Sequence, residues 1–159
     1  MSSCHCGSSE KFKHCCALIH NGTHIAQNAE QLMRARFSAY VTGDMDFLLE
    51  TYHSSCNAHL ERRQIQEATK TAWVKLDIID APATAADAKY AFVEFKAWYM
   101  DENKLSCLHE RSRFTKEQSG GQLQWRYLDG NYPEASSSTA KVGRNDPCPC
   151  NSGKCCALS

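Results

Sequence analysis

The chain has 159 residues, and its 18 basic and 18 acidic side chains give a formal net charge of zero. This length suffices for one domain with a hydrophobic core and small appendages. The balanced charge disfavours a general nucleic-acid-binding protein, which is usually basic, but it leaves a local basic patch open. No run of about eighteen apolar residues is present, so we expect no membrane-spanning helix.

Four cysteines fall within the segment CHCGSSEKFKHCC at residues 4–16. The N-terminal region lacks the apolar stretch of a secretory signal, which predicts a cytoplasmic protein with reduced thiols. In a reducing compartment, clustered cysteines bind metal more often than they form disulfides. Gly7, Ser8 and Ser9 suit a turn and a helix N-cap, and EKFKHCC then predicts a short helix that returns the second pair of thiols.

This arrangement predicts one structural zinc ion, because zinc prefers four soft ligands at tetrahedral corners. The alternative interpretations are a redox dithiol and a chance cluster of cysteines. His5 and His14 remain open as substitutes for one of the cysteine ligands. The predicted ligands are Cys4, Cys6, Cys15 and Cys16.

The next part of the chain has helical periodicity. In NAEQLMRARFSAYVTGD, apolar residues recur at helical spacing, and Gly43 fits the position that follows a helix. Asp44 is a suitable N-cap for a second short helix, MDFLLETYH. The following HLERRQIQEATK predicts a polar helix or a loop.

From Trp73 onward the sequence has the period of strands. Val74, Leu76 and Ile78 alternate with polar residues and predict a strand that ends at DAP. AKYAFVEFKAWYM, KLSCLHERSRFTK and QLQWRYLDG predict three more strands, with Gly120 and Gly121 as a hairpin turn before the last. Helices followed by successive strands predict an α+β fold with a curved antiparallel sheet.

The C-terminal part begins with a stretch rich in serine and small residues, which predicts a flexible linker. A second cysteine cluster, CPCNSGKCC, follows at 148–156, and only four residues separate its second cysteine from its third. The short helix of the first cluster is therefore missing, and a second zinc site is left open. Its ligands would be Cys148, Cys150, Cys155 and Cys156.

Both cysteine clusters resemble the SEC-C motif, a short zinc-binding element found at the C-terminus of the SecA translocation ATPase and in many other bacterial proteins. The first cluster matches the spacing of the motif in full, with Phe12 between Lys11 and Lys13 at its aromatic position. The second, although GRNDPCPCNSGK is similar to the motif, lacks four residues of the pattern. The resemblance implies the same four ligands in the first cluster.

The central strings AEQLMRARFSAYVTGDMDFLLETYH, VEFKAWY and LHERSRF…WRYLDG resemble the middle domain of the YchJ family. Proteins of this family combine a nuclear-transport-factor-2-like (cystatin-like) domain with a SEC-C motif at one or both ends. The resemblance implies a cone-shaped α+β domain whose sheet wraps a helix and leaves a pocket, and it implies no particular activity. The predicted organisation is a zinc segment at 1–24, a central domain at 25–133, a linker at 134–147 and a shortened zinc segment at 148–159.

Such a pocket could be catalytic, and its candidate residues are Glu94, Trp98, His109 and Glu110. Glu94 interrupts an apolar strand, and the strand period places Glu110 with Ser112 on the face opposite His109. A carboxylate on an inward face could act in acid–base chemistry if burial raised its pKa. The alternative is that both glutamates form salt bridges with Arg34, Arg36, Arg111 or Arg113.

Two functions follow as hypotheses. The first is a cytoplasmic zinc-binding adaptor whose SEC-C segments bind a protein partner, with the central domain as a scaffold or small-ligand receptor. The second is a small enzyme or small-molecule binder that uses a pocket with Glu94, His109 and Glu110. A filled interior would favour the first. Nucleic-acid binding would rest on Phe12 and two lysines, whereas single-strand readers normally offer several stacking rings.

Overall fold

The computed structural model describes residues 3–85 and 87–133. The elements follow the predicted order of helices and then strands, so the α+β class is confirmed. The helices are α1 (Cys16–His20), α2 (Ala29–Thr42), α3 (Met45–Glu50) and α4 (Arg62–Thr69), with 3-10 turns at Phe12–His14, Ser54–Cys56 and Ala58–Glu61. The strands are β1 (Ala72–Asp80), β2 (Tyr90–Asp101), β3 (Lys104–Ser119) and β4 (Gln122–Asn131).

The four strands form one sheet in the order β1-β2-β3-β4, and every neighbouring pair is antiparallel. The predicted turn between β3 and β4 is formed by Gly120 and Gly121, with φ of 62° and 87°. Glycine adopts such left-handed angles without steric strain, which explains the pair at this position. The connection is therefore as short as the sequence indicated.

Strand β1 departs from strict alternation at Val74. The pairing with β2 shifts between Trp73 and Lys75, so Val74 is the extra residue of a bulge and is 52% exposed. Trp73 instead faces the interior, where its ring lies 6.0 Å from that of Phe37 and 6.1 Å from that of Tyr40. A bulge changes which side chains face the core without ending the strand.

Helix α2 forms the centre of the hydrophobic core. The Asn28 side chain caps it by accepting a 2.8 Å hydrogen bond from the Gln31 N–H, and Gly43 ends it with φ of 77°. Its buried residues include Leu32 and Phe37, which share a core with inward-facing side chains of the sheet. Burial of this helix against the sheet supplies stability that helix propensity alone would not.

Substitution Asn28→Ala is expected to lower the free energy of unfolding by about 1 kcal/mol, because the Gln31 N–H loses its acceptor. Urea unfolding followed by circular dichroism measures the change. Gln64→Ala on the exposed face of α4 is the control and should stay within about 0.5 kcal/mol of the parent protein. Equal effects of the two substitutions would contradict a capping role.

The N-terminal segment packs directly on α2. The Arg34 guanidinium donates a hydrogen bond to the backbone oxygen of Cys6, and His20 Nε2 donates to the backbone oxygen of Ala35 at 2.7 Å. His20 Nδ1 also lies 3.6 Å from a carboxylate oxygen of Asp44. Buried cysteines of the segment belong to the same hydrophobic cluster as α2. The segment is thus attached to the central domain by packing and by hydrogen bonds.

Two further sequence predictions concern membrane-spanning helices and the C-terminal part of the chain. Within residues 3–85 and 87–133, no helix is long and apolar enough to cross a membrane. The linker predicted at 134–147 and the second cluster, with Cys148, Cys150, Cys155 and Cys156, lie outside the described residues.

Candidate functional site

A tight turn and a short helix bring the four N-terminal cysteines together. The Cys4 N–H donates to the backbone oxygen of Glu10 at 2.7 Å, and the Gly7 N–H donates to that of Cys4 at 3.2 Å. Gly7 has φ of 96°, and a Cβ at this position would lie 3.4 Å from Nη1 of Arg34. Glycine is therefore favoured by the left-handed backbone conformation, and Arg34 of α2 lies within contact distance. The 3-10 turn and α1 then return Cys15 and Cys16 to the first pair.

The four sulfur atoms lie in one compact group. All four Sγ atoms are within 4.8 Å of one another, and those of Cys6 and Cys15 are 3.7 Å apart. A tetrahedral zinc site with Zn–S bonds of about 2.3 Å has sulfurs about 3.8 Å apart. The spacing of the cluster is therefore close to that of a metal site, and these residues could hold a metal ion. Cys4, Cys6 and Cys16 are buried, whereas Cys15 is half-buried.

Three thiols of the cluster have shifted pKa values, and the shifts differ in direction. A hydrogen bond from Cys16 lowers the pKa of Cys6 to about 4, against the opposing effect of burial. The pKa of Cys16 is raised chiefly because its proton is held in that hydrogen bond, and burial raises the pKa of Cys15. A metal ion binds thiolates and would displace the remaining protons, so binding there releases protons to solvent.

The histidines next to the cysteines take no part in this group. His5 and His14 are both exposed, and the metal-ligand group in the described residues consists of cysteines alone. The His5 ring lies 5.6 Å from that of Phe12, which in turn packs edge-on against His20 at 5.6 Å. Phe12 packs against the hydrophobic core, and His20 continues the aromatic contacts to Phe47 of the central domain, at a ring distance of 4.6 Å. Ser8 Oγ lies 3.2 Å from Cys15 Sγ.

The structure separates the four candidate pocket residues. Glu94, Trp98 and His109 lie on the outer face of the sheet, because the inner face of β2 is formed by the alternate set that includes Val93 and Phe95. His109 Nε2 lies 2.7 Å from Glu94 Oε2, and the Trp98 ring donates to Asp77 at 2.9 Å. Glu94 and His109 therefore form a surface pair, Trp98 binds Asp77 on the same face, and none of the three shares a pocket with Glu110.

Glu94 forms a salt bridge with Arg111, one of the arginines that the sequence analysis named as possible partners. Arg111 Nη1 lies 3.3 Å from Glu94 Oε1 and 3.3 Å from Asp80 Oδ2. Arg113 is bound elsewhere, to both carboxylate oxygens of Asp129 at 3.0 and 2.7 Å. Arg34 pairs with Glu30 one turn away on α2, at 3.0 Å. The outer face of the sheet is thus covered by paired charges.

Glu110 is the one candidate that faces the interior. It is 2% exposed, and its Oε2 accepts hydrogen bonds from Ser112 Oγ and from the Tyr127 hydroxyl, both at 2.8 Å. Burial raises its pKa to about 7, although both hydrogen bonds and the charge of Arg36 oppose that rise. Gly130 allows the close approach, since a Cβ there would lie 2.2 Å from Glu110 Oε2.

Arg36 occupies the interior beside this carboxyl. Its guanidinium lies 4.4 Å from the ring centre of Tyr52 and 4.8 Å from that of Tyr127, and it donates to Thr51 Oγ1 at 2.6 Å. No ion pair shorter than 4.0 Å joins it to Glu110 among the described residues. Instead of the predicted salt bridge with Glu110, Arg36 forms cation–π contacts with Tyr52 and Tyr127. The positions of these two tyrosines in the sequence did not indicate this arrangement.

A groove of about 660 Å³ runs beside the cysteine cluster. It lies between the N-terminal segment and the first turns of α2 and was not predicted from the sequence. Apolar, amide and charged side chains, the last including Glu30 and Arg34, line it together with three of the cysteines. Among them are Ile19, Ile25, Gln27 and Gln31.

The matching family model is described as the middle NTF2-like domain of YchJ, and it covers residues 28–130. The chain belongs to the YchJ family. A UPF0225 protein of Vibrio cholerae serotype O1 is 46% identical over 158 residues, covering 97% of this chain and 99% of that protein. Another, from Vibrio parahaemolyticus, is 41% identical over 169 residues and covers 98% of each chain.

Two solved structures share the fold of this family member. A SEC-C motif-containing protein from Psychrobacter arcticus is 28% identical, with a TM-score of 0.71, and the match covers 99% of this chain and 97% of that one. A SEC-C motif-containing protein from Rhodopseudomonas palustris is 24% identical with the same TM-score, covering 82% and 98%. The predicted nuclear-transport-factor-2-like fold is confirmed, and the cysteine cluster supports the predicted SEC-C motif.

Proposed function

We propose that this protein is a cytoplasmic adaptor in which a structural zinc ion maintains a protein-binding segment next to the central domain. The observation that carries the metal proposal is the group of four sulfur atoms, all within 4.8 Å of one another. Four thiolates at tetrahedral spacing suit zinc or an iron–sulfur cluster. The 3.7 Å separation of Cys6 and Cys15 suits four sulfurs around a single ion.

The zinc ion is structural in this proposal, because four protein ligands leave no open position for substrate or water. A segment of this size has no core of its own, and zinc binding of about 10–16 kcal/mol suffices to fold such a motif. The four clustered cysteines are free thiols, which agrees with a reducing compartment such as the cytoplasm.

The protein-binding role is supported by the groove beside the cluster. It combines the apolar side chains of Ile19 and Ile25 with the amide groups of Gln27 and Gln31. Apolar contacts combined with polar groups that fix orientation are typical of sites that recognise a ligand or a peptide. The central domain serves as scaffold, since the interior at Glu110 is occupied by tyrosine rings and Arg36. The enzyme hypothesis combines Glu94, His109 and Glu110, and of these three residues only Glu110 lies in the interior.

Elemental analysis of the reduced protein tests the metal. Cys15→Ser is expected to lower the zinc content by one ion per chain, because three thiolates and a serine hydroxyl form a much weaker site. Cys107→Ser is the matched control, since this cysteine lies on β3 outside the metal-ligand group, and it should leave the zinc content unchanged. Iron in place of zinc, or no loss in Cys15→Ser, would contradict the proposal.

Site-specific photo-crosslinking inside cells tests the partner. A photoreactive residue at Ile25, in the groove, is expected to give a discrete adduct with another protein. The same residue at Leu105, which is 55% exposed on β3, is the control and should give none. The Ile25 adduct should also disappear in the Cys15→Ser background. Adducts of equal yield at both positions, or adducts that persist without the metal site, would argue against a zinc-dependent partner.

A further inference from the structure

Strand β4 carries a largely buried cation, Arg126, with no directly bound carboxylate among the described residues. Arg126 is 8% exposed, and its Nη1 donates a hydrogen bond to the backbone oxygen of Trp125 at 3.2 Å. Among residues 3–85 and 87–133, no carboxylate oxygen lies within 4.0 Å of its nitrogens. The charges of Glu50 and Glu117 compensate the cation only from beyond that distance, which leaves the guanidinium fork open to a directly bound anion.

Arg126 lines a cleft of about 270 Å³ formed by the N-terminal segment, α2, α3 and the β3–β4 hairpin. At about 30 Å³ for each water, the cleft has room for about nine water molecules, which is enough for a small organic molecule. Leu32, Phe47 and Trp125 contribute apolar surface, and Gln124 contributes an amide. A few polar groups among apolar walls are typical of sites for small ligands.

The backbone of β4 offers a second donor at the same place. The Tyr127 N–H donates to the Thr51 oxygen and the Tyr127 oxygen accepts from the His53 N–H, both at 2.8 Å. In an antiparallel strand, backbone groups face the same edge at every second residue, so those of Trp125 face this edge too. The Trp125 oxygen accepts from the Arg126 side chain, and by this alternation the Trp125 N–H faces the same edge of β4, beside the cleft that Trp125 lines.

The surrounding charges decide which anion fits. The guanidinium fork matches the two oxygens of a carboxylate or a phosphate. Glu50 lines the cleft. Burial lowers the pKa of Arg126, and the charges of Glu50 and Glu117 oppose that lowering. Two nearby negative charges repel a dianion more than a monoanion. A singly charged carboxylate with an apolar body is therefore favoured over phosphate.

We propose that this cleft binds a small monocarboxylate, whose oxygens are held by the Arg126 guanidinium and the Trp125 N–H. The apolar part of the ligand lies against Leu32, Phe47 and the Trp125 ring. This site goes beyond the adaptor function, because it requires neither a protein partner nor the groove beside the cysteines. It is also separate from Glu110, which is enclosed by Ser112 and Tyr127.

Nuclear magnetic resonance titration of the ¹⁵N-labelled, metal-loaded protein tests this site. The probes are benzoate and butyrate, their uncharged amides benzamide and butyramide, and inorganic phosphate. The carboxylates are expected to shift the Trp125 and Arg126 amide resonances saturably, and each amide should bind about tenfold more weakly or worse. No saturable shift, equal affinity of acid and amide, or tighter binding of phosphate would overturn the proposal.

Three variants assign the effect to named residues. Arg126→Met should abolish carboxylate binding, while Arg63→Met on the exposed face of α4 should leave it unchanged. Glu50→Gln removes the repelling charge at an exposed position and should tighten binding about two- to fivefold. If Arg126→Met does not fold, Glu50→Gln still tests the proposal. Weaker or unchanged binding of the carboxylates in Glu50→Gln would overturn the electrostatic argument.

Discussion

Substitution Cys16→Ser is expected to remove the metal and to destabilise the whole described chain. Cys16 is 2% exposed and belongs to the same hydrophobic cluster as α2, so the fold of the segment and that of the domain share a core. A ligand present at 1,000 times its dissociation constant stabilises the folded state by about 4 kcal/mol. Loss of the site should therefore lower the free energy of unfolding by about that amount, measured by urea unfolding in buffer with excess zinc.

The comparison that isolates the metal is unfolding of the parent protein in the presence of a chelator. Serine is close to cysteine in size, so Cys16→Ser should resemble the chelated parent protein in stability. Cys107→Ser should keep the stability of the metal-loaded protein, because this residue lies outside the sulfur group. A parent protein whose stability does not respond to chelation would contradict any structural role for a metal.

The free energy of unfolding is expected to fall by about 3 kcal/mol as the pH rises through the range in which Glu110 ionises. Burial raises the pKa of this carboxyl from an ordinary value of 4.5 to about 7. Between these values the folded protein binds more protons than the unfolded chain, so its stability decreases with pH. The contribution is fully present below about pH 4.5 and is lost once the pH exceeds about 7.

The difference between the parent protein and Glu110→Gln isolates this effect from other titrating groups. The glutamine oxygen can still accept hydrogen bonds from Ser112 and Tyr127, but it carries no charge, so the variant should gain stability relative to the parent above pH 7. Glu102→Gln in the exposed turn between β2 and β3 is the control. Urea unfolding at a series of pH values measures both. A stability difference that does not change with pH would show that Glu110 does not ionise within the fold.

The local signals in the sequence predicted most of the secondary structure. Gly43 and Asp44 mark a helix end and a helix start by their backbone and capping preferences, and both occupy those positions in the structure. Gly120 and Gly121 likewise predicted the hairpin turn. These signals depend on residues close in sequence, so a single chain carries them. The cysteine spacing was equally local and predicted a sulfur group that the structure brings together.

The candidate pocket was predicted less accurately than the secondary structure, because its composition depends on which face of each strand packs against α2. Glu94 was grouped with Glu110 because Glu94 interrupts an apolar strand and the strand period of the LHERSRF string allows Glu110 to face inward. The alternation of Ala91, Val93 and Phe95 on β2 already places Glu94 on the opposite face, and this pattern could have separated the two carboxylates. The proposed role of Arg126 in anion binding depends on its burial. An arginine between Trp125 and Tyr127 in the sequence indicates such burial only weakly.

The attachment of the N-terminal segment to α2 has a consequence for molecular recognition. Hydrogen bonds from Arg34 to Cys6 and from His20 to Ala35 fix the orientation of the segment. A partner that contacts both the segment and α2 would meet two surfaces already arranged in one geometry, so less rotational freedom is lost when the complex forms. The protein can therefore present a composite epitope, one that neither the isolated segment nor the isolated domain would display.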